Sequence, residues 1–506
     1  MQQNKDDRER IARPEVVRYS VLVLGLLAYT FSGLNWNVAT AAWVAPVLLL
    51  FYSRNSRWTG LLLLFFGLAL GSAVSKTAEN LSGVFLLYIT TGLSYGLLYS
   101  LPYVFDKLLV KKGTRFYSTL IFPAAVVTIE YALSRLIGIW GNGAIAQYPN
   151  SILIQLSSVF GVFGISFLIA WLASTLNWVF KKGWKSKRLW PGPALYGVVL
   201  VSVLLFGMIR KNTSPEGEQS VKLAAVLGVC DSHQVFREWE EEIFGLSNNP
   251  DQDIPVSIYS DSLDLEEMIR RTNQALSQGA GIVVWNEISL LLVPEQTEAL
   301  VERVKDLCAK YRAYVLIAVL ERNTGNLPMP FNNRSMFIDP EGEIRWDYLK
   351  HYLNPLEALV VNAGSGPIPV VDTEYGRMAN AICSDLDLPA HISQVGKDNV
   401  DILLVPAFDW EEVTLYHAHM AAFAALQYGV QIFRANGKGI TALYDSRGRI
   451  LEQSNSFRSD AKVIFASLPL TRATSLYASI GDLFVQLWMV FLLLMAGLSI
   501  FKRADL

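Results

Sequence analysis

The sequence predicts a membrane α-helical bundle of about eight transmembrane helices joined to a separate α/β layered domain. Hydrophobic residues make up 52% of the 506 positions and charged residues only 17%, too few charges for a soluble chain of this length. Long apolar runs crowd the first 212 positions and return near the end, whereas from 213 to 475 charges are frequent and short strand-like runs alternate with helix-like ones.

A bilayer core of ~30 Å needs roughly twenty apolar residues per helix. Such runs lie near 19–35, 38–53, 59–75, 83–105, 118–138, 158–180 and 193–209, with one more near 483–501. The first follows a leader holding both basic and acidic residues and ends without a small-x-small cleavage pattern, so a retained span is expected rather than a signal peptide. Lys and Arg stay on the cytoplasmic side. Lys5, Arg8, Arg10, Arg13 and Arg18 precede the first span, Arg54 and Arg57 follow the second, Lys107, Lys111, Lys112 and Arg115 the fourth, and Lys181 through Arg188 the sixth. The other loops hold little beyond Lys76, with Arg210 and Lys211 a mild exception. The expected organisation is therefore helices 1–7 over residues 1–212, an extracytoplasmic domain over 213–475, and a returning C-terminal helix within 476–506, all in a cytoplasmic (inner) membrane.

Within the α/β part, Val221–Val229, Gly281–Glu287, Ala313–Glu321, Val400–Phe408 and Val430–Asn436 read as strands, and Leu263–Ser277, Pro294–Arg312 and Glu411–Gly429 as helices. Asp339-Pro-Glu-Gly342 and Asp445-Ser-Arg-Gly448 read as hairpin turns. Repeated β-α-β units with added hairpins imply a layered α/β sandwich.

A net charge of -2 and the lack of a basic patch with interleaved aromatics exclude a nucleic-acid partner as the main function. The cysteines Cys230, Cys308 and Cys383 show neither zinc nor disulfide spacing. His417 and His419 lie two apart, on opposed sides of a helix, and read as helix-surface residues rather than metal ligands. Glu130, in the fifth span, marks either a polar path or a carboxylate paired near the interface.

Cys383 ends the apolar run Met378–Cys383 just before a helix start, where backbone N–H groups stabilise a thiolate and an oxyanion. Glu287 ends Val283-Val-Trp-Asn-Glu287, where partial desolvation raises a carboxyl toward general-base use. Lys350 follows the hairpin strand Arg345–Lys350, and an ammonium beside a nucleophile lowers thiol pKa and holds an oxyanion. Singly, each has an ordinary reading: a buried thiol, a capping carboxylate, a solvated strand-edge lysine.

Together, Glu, Lys and Cys in this order and these settings resemble the nitrilase superfamily. The hairpin Asn332–Ile344 (NNRSMFIDPEGEI) and the loop Lys350–Pro355 (KHYLNP) are similar to that superfamily's hairpin and lysine loop. With apolar spans on both sides, nearly the whole chain resembles the apolipoprotein N-acyltransferases. That resemblance rests on His417–Gly429 (HAHMAAFAALQYG), Phe433–Thr441 (FRANGKGIT), Ser475–Asp482 (SLYASIGD), and, in the spans, Glu130, Gly138–Gly143, Gln147 and Phe160–Ser166. It implies a nitrilase-type αββα sandwich and a Glu287, Lys350, Cys383 triad without a cofactor. It also implies a phospholipid acyl donor and a diacylglyceryl-lipoprotein acceptor. Departures fall near the triad: Asn286 stands where the family has Pro, Ser384 and Asp385 where it has Tyr and Glu, and Glu357 is one place from the family's second Glu. Ser384, Asp385 and Glu357, with a functional aromatic matched by either Phe236 or Trp239, are the further candidate substrate-site residues. A tethered amidase or acyltransferase with another amine or acyl group, and an inactive lipid- or lipoprotein-binding homologue, are the alternative readings.

Overall fold

The computed structural model describes residues 2–504 apart from 34–35, 76–84, 111–114, 139–142, 183–189, 214–218, 229–261, 324–327, 356 and 472, without side chains at 2–14, 85–88 and 500–504. Phe236 and Trp239 lie outside the described residues. The chain divides into two compact units, Met1–Ser214 with Ile480–Leu506, and Pro215–Ser479.

The first unit is helical. Its expected apolar runs fall on α1 (Gln2–Phe31), α2 (Ala39–Asn55), α3 (Gly60–Ser75), α4 (Phe85–Leu109), α5 (Ile121–Ile137), α6 (Ser157–Lys182), α7 (Pro191–Asn212) and the C-terminal helix Leu483–Ala504. Among the described residues, the helical stretches Phe116–Ile137, Leu153–Lys182 and Pro191–Asn212 are long and apolar enough to cross a membrane by length and composition. Small residues let helices approach where no hydrophobic force drives them together: a Cβ on Gly96 of α4 would meet Ala69 of α3 at 2.6 Å. The C-terminal helix stacks Trp488 on Phe167 of α6 at 4.3 Å. Arg54 clasps the buried Asp106 through two hydrogen bonds of 2.9 and 2.7 Å, pinning the end of α2 to α4. Glu130 is buried in α5. It lines a cavity of about 120 Å3 with Tyr29, Tyr95, Tyr99 and Tyr103.

The second unit is built on two stacked sheets. Its strands are β1 (Ser220–Val226), β2 (Ile282–Trp285), β3 (Leu291–Leu292), β4 (Tyr314–Arg322), β5 (Phe331–Ile338), β6 (Ile344–Leu349), β7 (Val370–Thr373), β8 (Gly376–Asn380), β9 (Ile402–Ala407), β10 (Gln431–Asn436), β11 (Ile440–Tyr444), β12 (Ile450–Asn455) and β13 (Val463–Pro469). One sheet runs β13-β1-β2-β4-β5-β6, with β3 on β4, and the other β12-β11-β10-β9-β8-β7. Pairs β1–β2, β2–β4, β8–β9 and β9–β10 are parallel. The period of two sorts the strands. Ile282, Val284 and Leu316 of the first sheet pack with Ile402, Leu404 and Phe433 of the second. Val283, Trp285 and Val315 turn outward onto the helices Ser262–Ser277 and Pro294–Tyr311. The helices Pro389–Lys397 and Glu411–Tyr428 belong with the second sheet, giving the αββα order.

The surface position expected for His417 and His419 is corrected here: both are buried. Every residue from Tyr416 to Tyr428 is buried, because this alanine-rich helix is apolar almost all round and is covered on all sides. Hairpin turns form at both expected places, with Gly342 and Gly448 at φ +79° and +70°.

Candidate active site

Glu287 follows the carboxyl end of β2, Lys350 directly follows β6, and Cys383 follows β8. Carboxyl ends of parallel strands are where open α/β folds gather reactive groups. Two of these strand exits are left-handed at residues other than glycine. Cys383 has φ +45° and Ile288, just after Glu287, φ +51°, each held at a local cost of roughly 1–2 kcal/mol. At Cys383 this bend turns the chain into the short 3-10 turn Cys383–Asp387.

Lys350 Nζ donates to Glu287 Oε1 at 2.8 Å and to Glu357 Oε1 at 2.6 Å. Glu287 Oε1 also accepts from Asn333 Nδ2 at 2.7 Å, so both donors meet one oxygen. Glu287 and Lys350 are each 1% exposed. Glu357 is held in turn by a reciprocal pair with Asn354, each backbone N–H donating to the other side chain at 3.0 Å. Thus Glu357 reaches the lysine from its own place in the loop. The Cys383 Sγ–H points to the Phe408 carbonyl at 3.9 Å.

Burial raises the Glu287 carboxyl above the usual range, against the pull of Lys350. Burial also opposes the charge of Lys350, but Glu287 and Glu357 outweigh it and hold the ammonium well above its ordinary value. The Cys383 thiol is pushed well up by burial and by the Glu287 charge, with Lys350 acting the other way. These shifts favour the protonated thiol at Cys383 and the charged ammonium at Lys350. Such a thiol needs a base to become a nucleophile.

The remaining candidates join the loops that carry these groups. Asp385 is fully buried. Its Oδ1 accepts the backbone N–H of His351 at 3.0 Å and of Tyr352 at 2.7 Å, and its Oδ2 the Tyr348 hydroxyl at 2.8 Å and the Ile382 N–H at 3.0 Å. Ser384 Oγ donates to the Tyr352 carbonyl at 2.7 Å. Both residues so tie the cysteine turn to the lysine loop. Asn286 accepts the Gly228 N–H at 2.6 Å and donates to the Glu287 carbonyl at 2.7 Å, fixing the exit of β2 with a side chain that Pro would lack.

The carbon-nitrogen hydrolase family model matches residues 256–478, and the apolipoprotein N-acyltransferase N-terminal domain model matches residues 25–175. Together the two models mark the chain as similar to the apolipoprotein N-acyltransferases of the nitrilase superfamily. An apolipoprotein N-acyltransferase of Geobacter metallireducens is 26% identical over 406 residues, spanning 74% of this chain and 73% of its own. Apolipoprotein N-acyltransferase 1 of Treponema denticola is 24% identical over 523 residues, spanning 93% of this chain and 94% of its own.

Sequence reasoning passed over Asn333, which holds Glu287, and the buried carboxylates Asp387 and Asp409 nearby in the fold. Asn333 stands in the recognised hairpin, and its neighbour-to-neighbour distance from Glu287 is invisible in one dimension. Asp409 follows the end of β9, the same kind of position that singled out Glu287 and Cys383, and was the available signal.

Proposed function

We propose that this chain transfers an acyl chain from a phospholipid, through a thioester on Cys383, to the N-terminal amine of diacylglyceryl-cysteine lipoproteins. The observation that carries the reading is Lys350 bridging Glu287 and Glu357 while the buried Cys383 thiol feels the charges of Glu287 and Lys350. In the first half-reaction Glu287 takes the thiol proton and the thiolate attacks the ester carbonyl. Lys350 and backbone N–H groups hold the oxyanion. Collapse of that intermediate expels the lysophospholipid oxygen, which takes the proton back from Glu287. In the second, Glu287 takes a proton from the incoming amine, the amine attacks the thioester, and the amide forms as the thiolate leaves and is reprotonated. No step calls for a cofactor.

The apolar helices support this scheme physically, since both substrates are anchored in a bilayer. We assign residues 213–475 to the outer side of a cytoplasmic membrane, on the distribution of Lys and Arg among the short loops. The decisive experiment is mass spectrometry of lipoprotein N-termini from cells with and without this chain. An added amide-linked acyl group that depends on the chain is expected, and unchanged free α-amines would refute the substrate assignment.

A further inference from the structure

Behind Cys383 lies a buried line of charge that the proposed chemistry does not use. Asp387 closes the turn that Cys383 opens, and its Oδ2 lies 3.7 Å from His417 Nε2. His417 Nδ1 lies 2.8 Å from Asp409 Oδ1. Asp409 then accepts two hydrogen bonds from Arg434, at 2.9 and 2.7 Å, and one from Asn436 Nδ2 at 2.7 Å. Asp409 directly follows Phe408, whose carbonyl receives the Cys383 thiol. Asp387, Asp409, His417 and Arg434 are all buried. Four ionisable groups removed from water must balance, because an uncompensated buried charge is strongly unfavourable.

We infer that His417, held as an imidazolium between Asp387 and Asp409, is a positioning residue that balances the buried charge beside Cys383 and so governs thiolate formation there. The inference rests on the reading of Cys383 as nucleophile. With His417 charged, the two carboxylates and two cations sum to zero. Among the described residues, the charged groups acting on His417 are Asp387 and Asp409, with Arg434 behind Asp409. Those acting on Cys383 are Glu287, Lys350, Asp409 and Arg434. His417 thus reaches the thiol through Asp409 and through the turn that Asp387 shares with it. Burial disfavours the imidazolium, but Asp409 and Asp387 outweigh it and raise its pKa. Burial pushes Asp387 up to about 6, leaving it ionised at neutral pH.

A charge role and a merely structural role predict different signs. The test is the rate at which iodoacetamide alkylates Cys383 in the full-length, detergent-solubilised protein at neutral pH, read by peptide mass spectrometry that separates it from Cys230 and Cys308. His417→Gln leaves one excess negative charge, so thiolate is disfavoured and alkylation slows by about tenfold, the equivalent of one unit of pKa. Asp387→Asn leaves one excess positive charge, and alkylation quickens. The double variant is neutral again and returns to within about threefold of wild type, less than half a unit of pKa. Slowing in both single variants, no change in either, or a double variant slower than His417→Gln would each overturn the inference. The readout needs no acyl donor or acceptor. The expected pattern without any acyl transfer would therefore sink the proposed function alone, and normal acyl transfer with a contrary pattern would sink only this inference.

Discussion

The Asp385 carboxylate takes the hydroxyl hydrogen of Tyr348 at 2.8 Å, and this one contact sets the protonation of a third residue. Tyr348 has a single hydrogen to give, so His391 Nε2, 2.9 Å from the same hydroxyl, must be the donor of that pair. His391 is then the neutral Nε2–H tautomer, and its Nδ1 accepts from Gln394 Nε2 at 3.3 Å. Its ring lies parallel to that of His351, 4.1 Å away, a stack that charging both rings would oppose.

Replacement of Asp385 tests the join between the two loops. Asp385→Asn keeps the shape but turns one oxygen into a donor facing donors, so unfolding of the detergent-solubilised protein should shift by ~2–3 kcal/mol, the loss typical of buried hydrogen bonds to a charged group. Retention of wild-type stability would mean that the carboxylate is dispensable.

The triad residues should separate by half-reaction. Cys383→Ala should take no label from a labelled phospholipid. Lys350→Ala should lower thioester formation on the order of 10²–10³, the usual effect of losing an oxyanion donor. Glu287→Gln should acylate slowly and hold whatever thioester forms, because the amine stays protonated. Hydroxylamine-sensitive labelling of each purified variant measures all three, and normal labelling of Cys383→Ala would exclude it as nucleophile.

Acid should act on Asp387 and His391 in opposite senses. Asp387 is raised by burial from 3.8 to about 6, so the folded protein holds a proton that the unfolded chain has released. Its contribution is full below 3.8 and is lost as pH rises through about 6, by up to ~3 kcal/mol. His391 is lowered from 6.5 to about 4, by burial first and then by His351. Here the unfolded chain binds the proton first, and stability is lost as pH falls through that window. Relative to wild type, Asp387→Asn should therefore gain stability as pH rises from about 4 to 6 and His391→Gln should lose it, by thermal unfolding across that range. Profiles tilting the same way would contradict these environments.

Orientation is checked with fusions. A reporter active only outside the cytoplasm should work when joined after Thr213 and fail when joined after Lys185. The reverse result would put the Cys383 site on the wrong side for the proposed substrates.

Much of this architecture is legible along the chain because it follows from local rules. The helix Pro294–Tyr311 opens on Pro and closes at Arg312 in the left-handed conformation, one residue from its expected end. The strands β2 and β9 sit inside the expected apolar runs, since a strand covered on both faces is largely apolar, and β10 forms at its expected place although Gln431, Arg434 and Asn436 are buried on it. The long apolar runs of the first unit announce themselves in the same way.

What one dimension leaves open is which polar groups meet. Glu287 and Lys350 are 63 positions apart in sequence and 2.8 Å apart in space, and Asn333 joins them from a third strand. Glu357, one place out of register with the family pattern, still reaches Lys350, because a side chain needs only the right direction from a loop held by Asn354. His417 looked like a surface residue and proved to be buried between two carboxylates. Most of the helices and strands, and the ordered Glu, Lys and Cys, were legible from the residues alone, because apolar periodicity and turn chemistry are properties of neighbours along the chain, whereas β3, β7 and β13 were not. Packing set the partners of each buried charge, because a desolvated ion must find its counter-charge wherever the packed sheets bring one within reach.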